Sequence, residues 1–220
     1  MTFEERQVFD WKHRWQEIIP VYNKPLLKYT SIDYIKAKKT IVCDCDGVIT
    51  DGTSTIGYYD GKIQKISKTY GSYDKEAIQF MVALGWDITF VTSDKIGYDL
   101  TYERLRTWSD KISLRLSDWK QRKETIDFIG RYDNASYISF IGDSVSDLYT
   151  LESEYLNSFY CPGNASPIVK NDKRVNSEVT LTGGHGALAE ILYKIHADVK
   201  NGLKLNNYRI DPSRKFLLEA

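Results

Sequence analysis

From residue 40 onward the chain alternates two kinds of segment. Short apolar runs at 40–45, 87–92, 111–116, 137–141 and 157–161 are separated by stretches with helical periodicity. Ile78, Met81 and Val82 make one helical stripe; Leu188, Ile191, Leu192 and Ile195 make another. The alternation predicts an α/β fold: a Rossmann-like three-layer sandwich whose parallel sheet carries helices on both faces. One interruption follows the first strand directly. The runs 53–59 and 62–68 flank Asp60-Gly61, a strong signal for a two-residue turn and hence a small β-hairpin.

The flanks read differently. Residues 1–38 are expected to form an N-terminal helical arm. Thr2 and Glu5 fit a capping box, Val8, Trp11, Trp15 and Ile18 fall near one face, and Pro20 ends the helix. Two tryptophans on that face need a cover, either the main domain or another subunit. Residues 39–199 make the α/β domain, and residues 200–220 a polar tail with few periodic signals. A length of 220 residues suits one such domain with an added arm. Lys plus Arg equals Asp plus Glu at 30 each, so no net field draws in nucleic acid or an anionic membrane. No apolar run approaches the ~20 residues of a membrane helix, and the charged start, residues 1–14, is not a secretory signal. Three cysteines make no disulfide framework, which leaves a cytoplasmic location as the default. Cys43 and Cys45 should act as small buried hydrophobes pointing away from Asp44.

The chemistry gathers at strand ends. The first core strand runs into Asp44-Cys45-Asp46-Gly47. Carboxylates there are costly unless paired, and ligands of open α/β sheets bind beyond the carboxyl ends of the strands. Asp44 and Asp46 share a side by the period-two rule, and Gly47 lets the backbone turn away. Such a pair can hold a hard cation or divide nucleophilic and acid–base roles; a solvated strand end would carry the same residues. A second acidic cluster, Gly142-Asp143-Ser144-Val145-Ser146-Asp147, follows the run 137–141. Asp143 could complete an oxygen-ligand site for Mg²⁺ with Asp44 and Asp46, and Asp147 is equally placed to cap the next helix. The run 87–92 ends in Thr92-Ser93-Asp94, hydroxyls that suit a phosphate cradle or a plain N-cap. In the helix beginning near Ser117-Asp118, Trp119, Ile126 and Ile129 mark the apolar face, with Lys123 on it, either snorkelling or meeting an anion.

Together and in this order the four pieces resemble the haloacid dehalogenase superfamily: D-x-D-G-V at residues 44–48, Thr92, Lys123, and G-D-x-x-x-D at residues 142–147. That resemblance implies a phosphatase in which Asp44 attacks phosphorus and Asp46 protonates the leaving alcohol. Thr92, with Ser93, and Lys123 then hold the phosphoryl group. Asp44, Asp143 and the Asp46 backbone carbonyl bind Mg²⁺, with Asp147 ligating or orienting the metal shell. The short spacings leave no room for a cap domain, so the chain resembles the capless branch, in which neighbouring subunits close each other's sites, typically as a homotetramer. Within that branch it is similar to the octulosonate 8-phosphate and nonulosonate 9-phosphate phosphatases, on residues 44–52, the Asp60-Gly61 hairpin and Gly183-Gly184-His185-Gly186-Ala187. The expected substrate is a small phosphorylated metabolite such as a 2-keto sugar-acid phosphate. Tyr70, Asp74 and His185 are candidates for specificity, with His185 standing where the octulosonate enzymes have arginine. A nucleic-acid 3′-phosphatase or a non-catalytic binding domain of the same fold are the alternatives; neutral charge counts against the first, intact motifs against the second.

Overall fold

The computed structural model describes residues 38–200; the expected arm, with Trp11 and Trp15, and the tail from residue 201 lie outside them. Six parallel strands form the sheet: β1 (Lys39–Asp44), β4 (Trp86–Thr92), β5 (Ile112–Leu116), β6 (Tyr137–Ile141), β7 (Ser158–Tyr160) and β8 (Val175–Asn176). Their spatial order is β5-β4-β1-β6-β7-β8. Between β1 and β4 stands a separate antiparallel hairpin, β2 (Thr50–Tyr59) and β3 (Lys62–Tyr70). It turns at Asp60 and Gly61, both at positive φ (49° and 75°), as a two-residue hairpin turn requires.

Every residue of β1 is buried, as expected of a central parallel strand covered on both faces. Its side chains alternate between two cores. Ile41 and Cys43 point into one layer, packed with α1 (Asp74–Ala83) and α5 (Ala187–Lys200) through Ile78, Met81, Leu188, Ile191 and Ile195. Val42 points into the other, with Ile126 and Ile129 of α3 (Trp119–Tyr132) and with Ile138 and Phe140. The two predicted stripes thus meet on one face. Helix α2 (Tyr98–Arg106) follows β4, a 3-10 helix (Val145–Glu152) follows β6, and the short α4 (Pro167–Lys170) precedes β8.

The topology places the site. From β1 the chain proceeds to β4 and β5 on one side, then returns to β6 on the other side of β1 and continues outward to β7 and β8. The crevice beyond the ends of β1 and β6 is therefore the topological switch point, where open α/β sheets bind ligands. Asp44 ends β1, and Gly142-Asp143 follows β6.

Candidate active site

Beyond Asp44 the chain turns sharply. The Cys45 carbonyl accepts from the N–H groups of Val48, Ile49 and Thr50 at 3.3, 3.0 and 3.2 Å. Gly47 takes φ +87°, and a Cβ there would overlap the Asp143 carboxylate. Glycine is thus needed twice, for the backbone conformation and for the approach of the acid. Asn164 fastens this turn: its Nδ2 donates to the Gly47 carbonyl (2.9 Å), and its Oδ1 accepts from the Gly183 N–H (2.8 Å).

The carboxylate oxygens of Asp44, Asp143 and Asp147 converge to within 4.8 Å of one another. Asp44 is buried, and its Oδ1 accepts from the Cys45 N–H at 2.8 Å. Burial and then the Asp147 charge push its pKa well above the usual carboxylate range, against the pull of Arg122. Asp143 is pushed up to about 6 by burial and by Asp147. Asp147 is fully buried. Its Oδ2 accepts from the N–H groups of Asp143 (3.1 Å) and Ser144 (3.0 Å) and from the Ser144 hydroxyl (2.8 Å). It therefore does both things the sequence allowed, closing a capping box on the 3-10 helix and reaching the acidic cluster.

The cation at this cluster is Arg122. Its guanidinium is buried, with Nη1 at 3.2 Å from Asp44 Oδ2, Nη2 at 3.2 Å from Asp44 Oδ1, and Nη1 against Asp147 Oδ1. The structure does not bring Lys123 to the site; its ammonium pairs with Asp127, one turn along α3, at 2.6 Å. The helix faces differ from expectation by one residue. Trp119, taken to mark the apolar face, is 46% exposed and meets Tyr149 edge-on at 4.9 Å between ring centroids. The buried stripe is Arg122, Ile126 and Ile129.

Asp46 lies at the rim. Its Oδ1 accepts from the Thr50 hydroxyl (3.2 Å) and from the Lys68 ammonium (2.8 Å). Its carboxylate is not among the three converging acids. Thr92 is buried at the end of β4, its Oγ1 accepting from the Asp94 N–H at 3.1 Å, while Ser93 is exposed beside it.

The three specificity candidates differ in burial and partners. The Asp74 carboxylate is fully buried at the start of α1 and caps α5, accepting from the Ala189 N–H at 3.1 Å; burial pushes it up to about 6. The Tyr70 ring meets Trp108 edge-on at 5.9 Å, with the Arg104 guanidinium over its face at 5.6 Å. His185 is exposed, its Nδ1 turned back onto the Gly183 carbonyl (3.1 Å). Sequence reasoning missed Arg122, Lys68 and Asn164. Only Arg122 left a signal, lying four and seven residues before Ile126 and Ile129.

The donor set fits a hard divalent cation. Three carboxylates face one guanidinium, and oxygen ligands of this kind suit Mg²⁺. The raised pKa values of Asp44 and Asp143 express the same imbalance, which a cation would relieve.

The fold is similar to that of solved structures from the haloacid dehalogenase superfamily. A Legionella pneumophila hydrolase assigned to subfamily IIIA of that superfamily superposes with a TM-score of 0.57 at 21% identity, over 79% of this chain and 91% of its own. The 3-deoxy-D-manno-octulosonate 8-phosphate phosphatase of Yersinia pestis gives 0.58 at 19% identity, over 76% and 86%. The same phosphatase from Moraxella catarrhalis, in complex with magnesium, phosphate and KDO, gives 0.58 at 18%, over 74% and 88%. By sequence, no family model and no curated protein matches the chain. No helix among the described residues is long and apolar enough to cross a membrane.

Proposed function

We propose that this chain is a magnesium-dependent phosphomonoesterase that works through an aspartyl phosphate on Asp44. The observation that carries the reading is the convergence of Asp44, Asp143 and Asp147 at the switch point, with the buried Arg122 guanidinium against Asp44 and Asp147. Asp44, Asp143 and Asp147 would hold Mg²⁺, with the Asp46 carbonyl as a further ligand; the ion supplies charge neutralisation to a transferring phosphoryl group. An Asp44 carboxylate oxygen attacks phosphorus, and the bond to the ester oxygen breaks. Asp46 delivers its proton to that oxygen, so the leaving group departs as an alcohol. A water then loses a proton to Asp46 and attacks the phosphoryl group, and cleavage of the bond to Asp44 restores its carboxylate. Covalent capture splits one hard displacement into two easier ones. Arg122, Thr92 and the backbone at Ser93 orient the phosphoryl oxygens. In this reading Arg122 takes the role expected of Lys123.

The substrate class we infer is a small phosphorylated metabolite, with 2-keto sugar-acid phosphates first. The likeness to the Moraxella catarrhalis phosphatase in complex with KDO supports that choice. A homo-oligomer fits the apolar hairpin surface, where Ile56, Tyr58, Tyr59 and Ile63 are all more than half exposed. The test is phosphate release from a panel of sugar-acid, sugar and aryl phosphates, in Mg²⁺ and in EDTA. Release from at least one sugar-acid phosphate in Mg²⁺ alone is expected. No release, or release indifferent to EDTA, refutes the reading.

A further inference from the structure

Lys68 is the group the phosphatase reading does not use. It projects from the hairpin strand β3, yet its side chain is fully buried. The ammonium lies 2.8 and 3.2 Å from the two Asp46 oxygens, 2.8 Å from Asp94 Oδ2 and 3.1 Å from the Thr101 hydroxyl. An ammonium has three donors, and this one finds Asp46, Asp94 and Thr101. Asp94 is fixed in turn by Lys65 at 2.7 Å and by the Gly97 N–H at 3.0 Å. Burial works against the Lys68 charge, and the hydrogen bonds to Asp46 and Asp94 outweigh it.

An apolar side chain could anchor the hairpin without the desolvation cost of a buried ammonium. The chain instead ends its anchor on the acid–base carboxylate. Asp46 Oδ1 takes two contacts, from Lys68 at 2.8 Å and Thr50 at 3.2 Å, whereas Oδ2 takes one, from Lys68 at 3.2 Å. The side chain remains 34% exposed, so one oxygen is held and the other is presented.

Resting on the phosphatase reading above, we propose that Lys68 is a positioning residue that pins Asp46 through Oδ1 and turns Oδ2 toward the leaving-group oxygen. Lys68 touches no reacting atom. It sets the geometry of one proton transfer, and it does so from the hairpin, which thereby becomes part of the acid–base apparatus. A misplacement of about 1 Å in such a group can cost on the order of 100-fold in rate. In the phosphorylation step, which kcat/KM reports, that loss falls on esters whose alcohol must be protonated and spares p-nitrophenyl phosphate, whose phenolate leaves unaided. The later attack of water on the aspartyl phosphate is common to both esters.

The experiment compares Lys68→Met, Lys68→Arg and the parent on p-nitrophenyl phosphate and on the fastest alkyl phosphate of the panel. For Lys68→Met, kcat/KM on the alkyl ester is expected to fall roughly 10- to 100-fold and kcat/KM on the aryl ester by less than about 3-fold. Lys68→Arg should recover most of the difference. Equal falls on both esters, or no fall on either, overturn the proposal while leaving the phosphatase standing. A parent that hydrolyses neither ester overturns both. Should Lys68→Met fail to fold by circular dichroism, Asp94→Asn, which releases the far side of the ammonium, must shift the same ratio in the same direction; an unchanged ratio then refutes the proposal.

Discussion

Arg122→Met removes the one guanidinium that faces the acid cluster. In the parent this group sits against Asp44 and Asp147, with side-chain exposures of 6%, 8% and 0% for the arginine and the two acids. Methionine fills much of the space but leaves the carboxylates buried without a counter-charge. Breaking a buried pair from one side costs about 3–5 kcal/mol. At about 2–4 °C per kcal/mol for a domain of this size, the expected loss is roughly 6–20 °C in Tm at pH 7.5 in EDTA. The pH dependence follows from the sign of the shift. Asp44 and Asp143 already have folded pKa values above their unfolded ones. Their ionisation therefore costs stability as pH rises through the window from about 4 to beyond 6, and loss of Arg122 raises both further. The deficit of Arg122→Met should accordingly be large at pH 7.5 and shrink as pH falls toward 4, where the acids are neutral in both states. Urea unfolding at pH 7.5 and pH 4.5 measures this. A variant as stable as the parent at pH 7.5, or a deficit that grows on acidification, would refute the electrostatic account of Arg122.

Other perturbations separate the remaining parts. Lys123→Ala should leave phosphate release unchanged and cost only about 0.3–0.5 kcal/mol, since its pair with Asp127 is a partly exposed i,i+4 contact; a tenfold loss of activity would return Lys123 to the site. Gly47→Ala forces a side chain into positive φ, at roughly 1–2 kcal/mol, and displaces Asp143. Magnesium binding, read by calorimetry, should weaken at least about tenfold, the equivalent of 1.4 kcal/mol, and unchanged affinity would contradict the contact. Asp74→Asn keeps an acceptor for the Ala189 N–H but cannot ionise. With the parent acid raised to about 6, the parent loses stability between about pH 4 and 6 and the variant does not. Relative to the parent, the variant should therefore gain about 2 kcal/mol between pH 4.5 and 7.5; a pH-independent difference would mean Asp74 ionises freely.

Much of the sheet was legible because parallel strands must be apolar on both faces. The five runs expected from sequence match β1, β4, β5, β6 and β7 to within one residue at each end. Asp60-Gly61 fixed the hairpin because few other residue pairs tolerate two positive φ values in succession. Strand β8, two residues long, and helix α4, four residues long, are too short to leave a period. Asp44, Asp143 and Asp147 were legible because acids at strand ends are costly without a purpose. Lys123 fell on the expected apolar face because Trp119, an exposed residue at the first position of α3, was counted there; the buried stripe instead carries Arg122 with Ile126 and Ile129. The partners of Asp74 and Lys68 lie 115, 26 and 22 residues away, at Ala189, Asp94 and Asp46 respectively. No local pattern announces such pairings, so a capping acid read as a specificity residue and a buried lysine passed as a strand residue.

The most direct test of the account is whether a phosphoryl group becomes attached to Asp44. The chain would be mixed with its fastest phosphate ester in Mg²⁺, quenched in acid and analysed by peptide mass spectrometry, with Asp44→Asn alongside. A phosphoryl adduct on the Asp44 peptide, absent from Asp44→Asn together with turnover, is the predicted result. Undiminished phosphate release by Asp44→Asn, or turnover with the adduct on another residue, would contradict it.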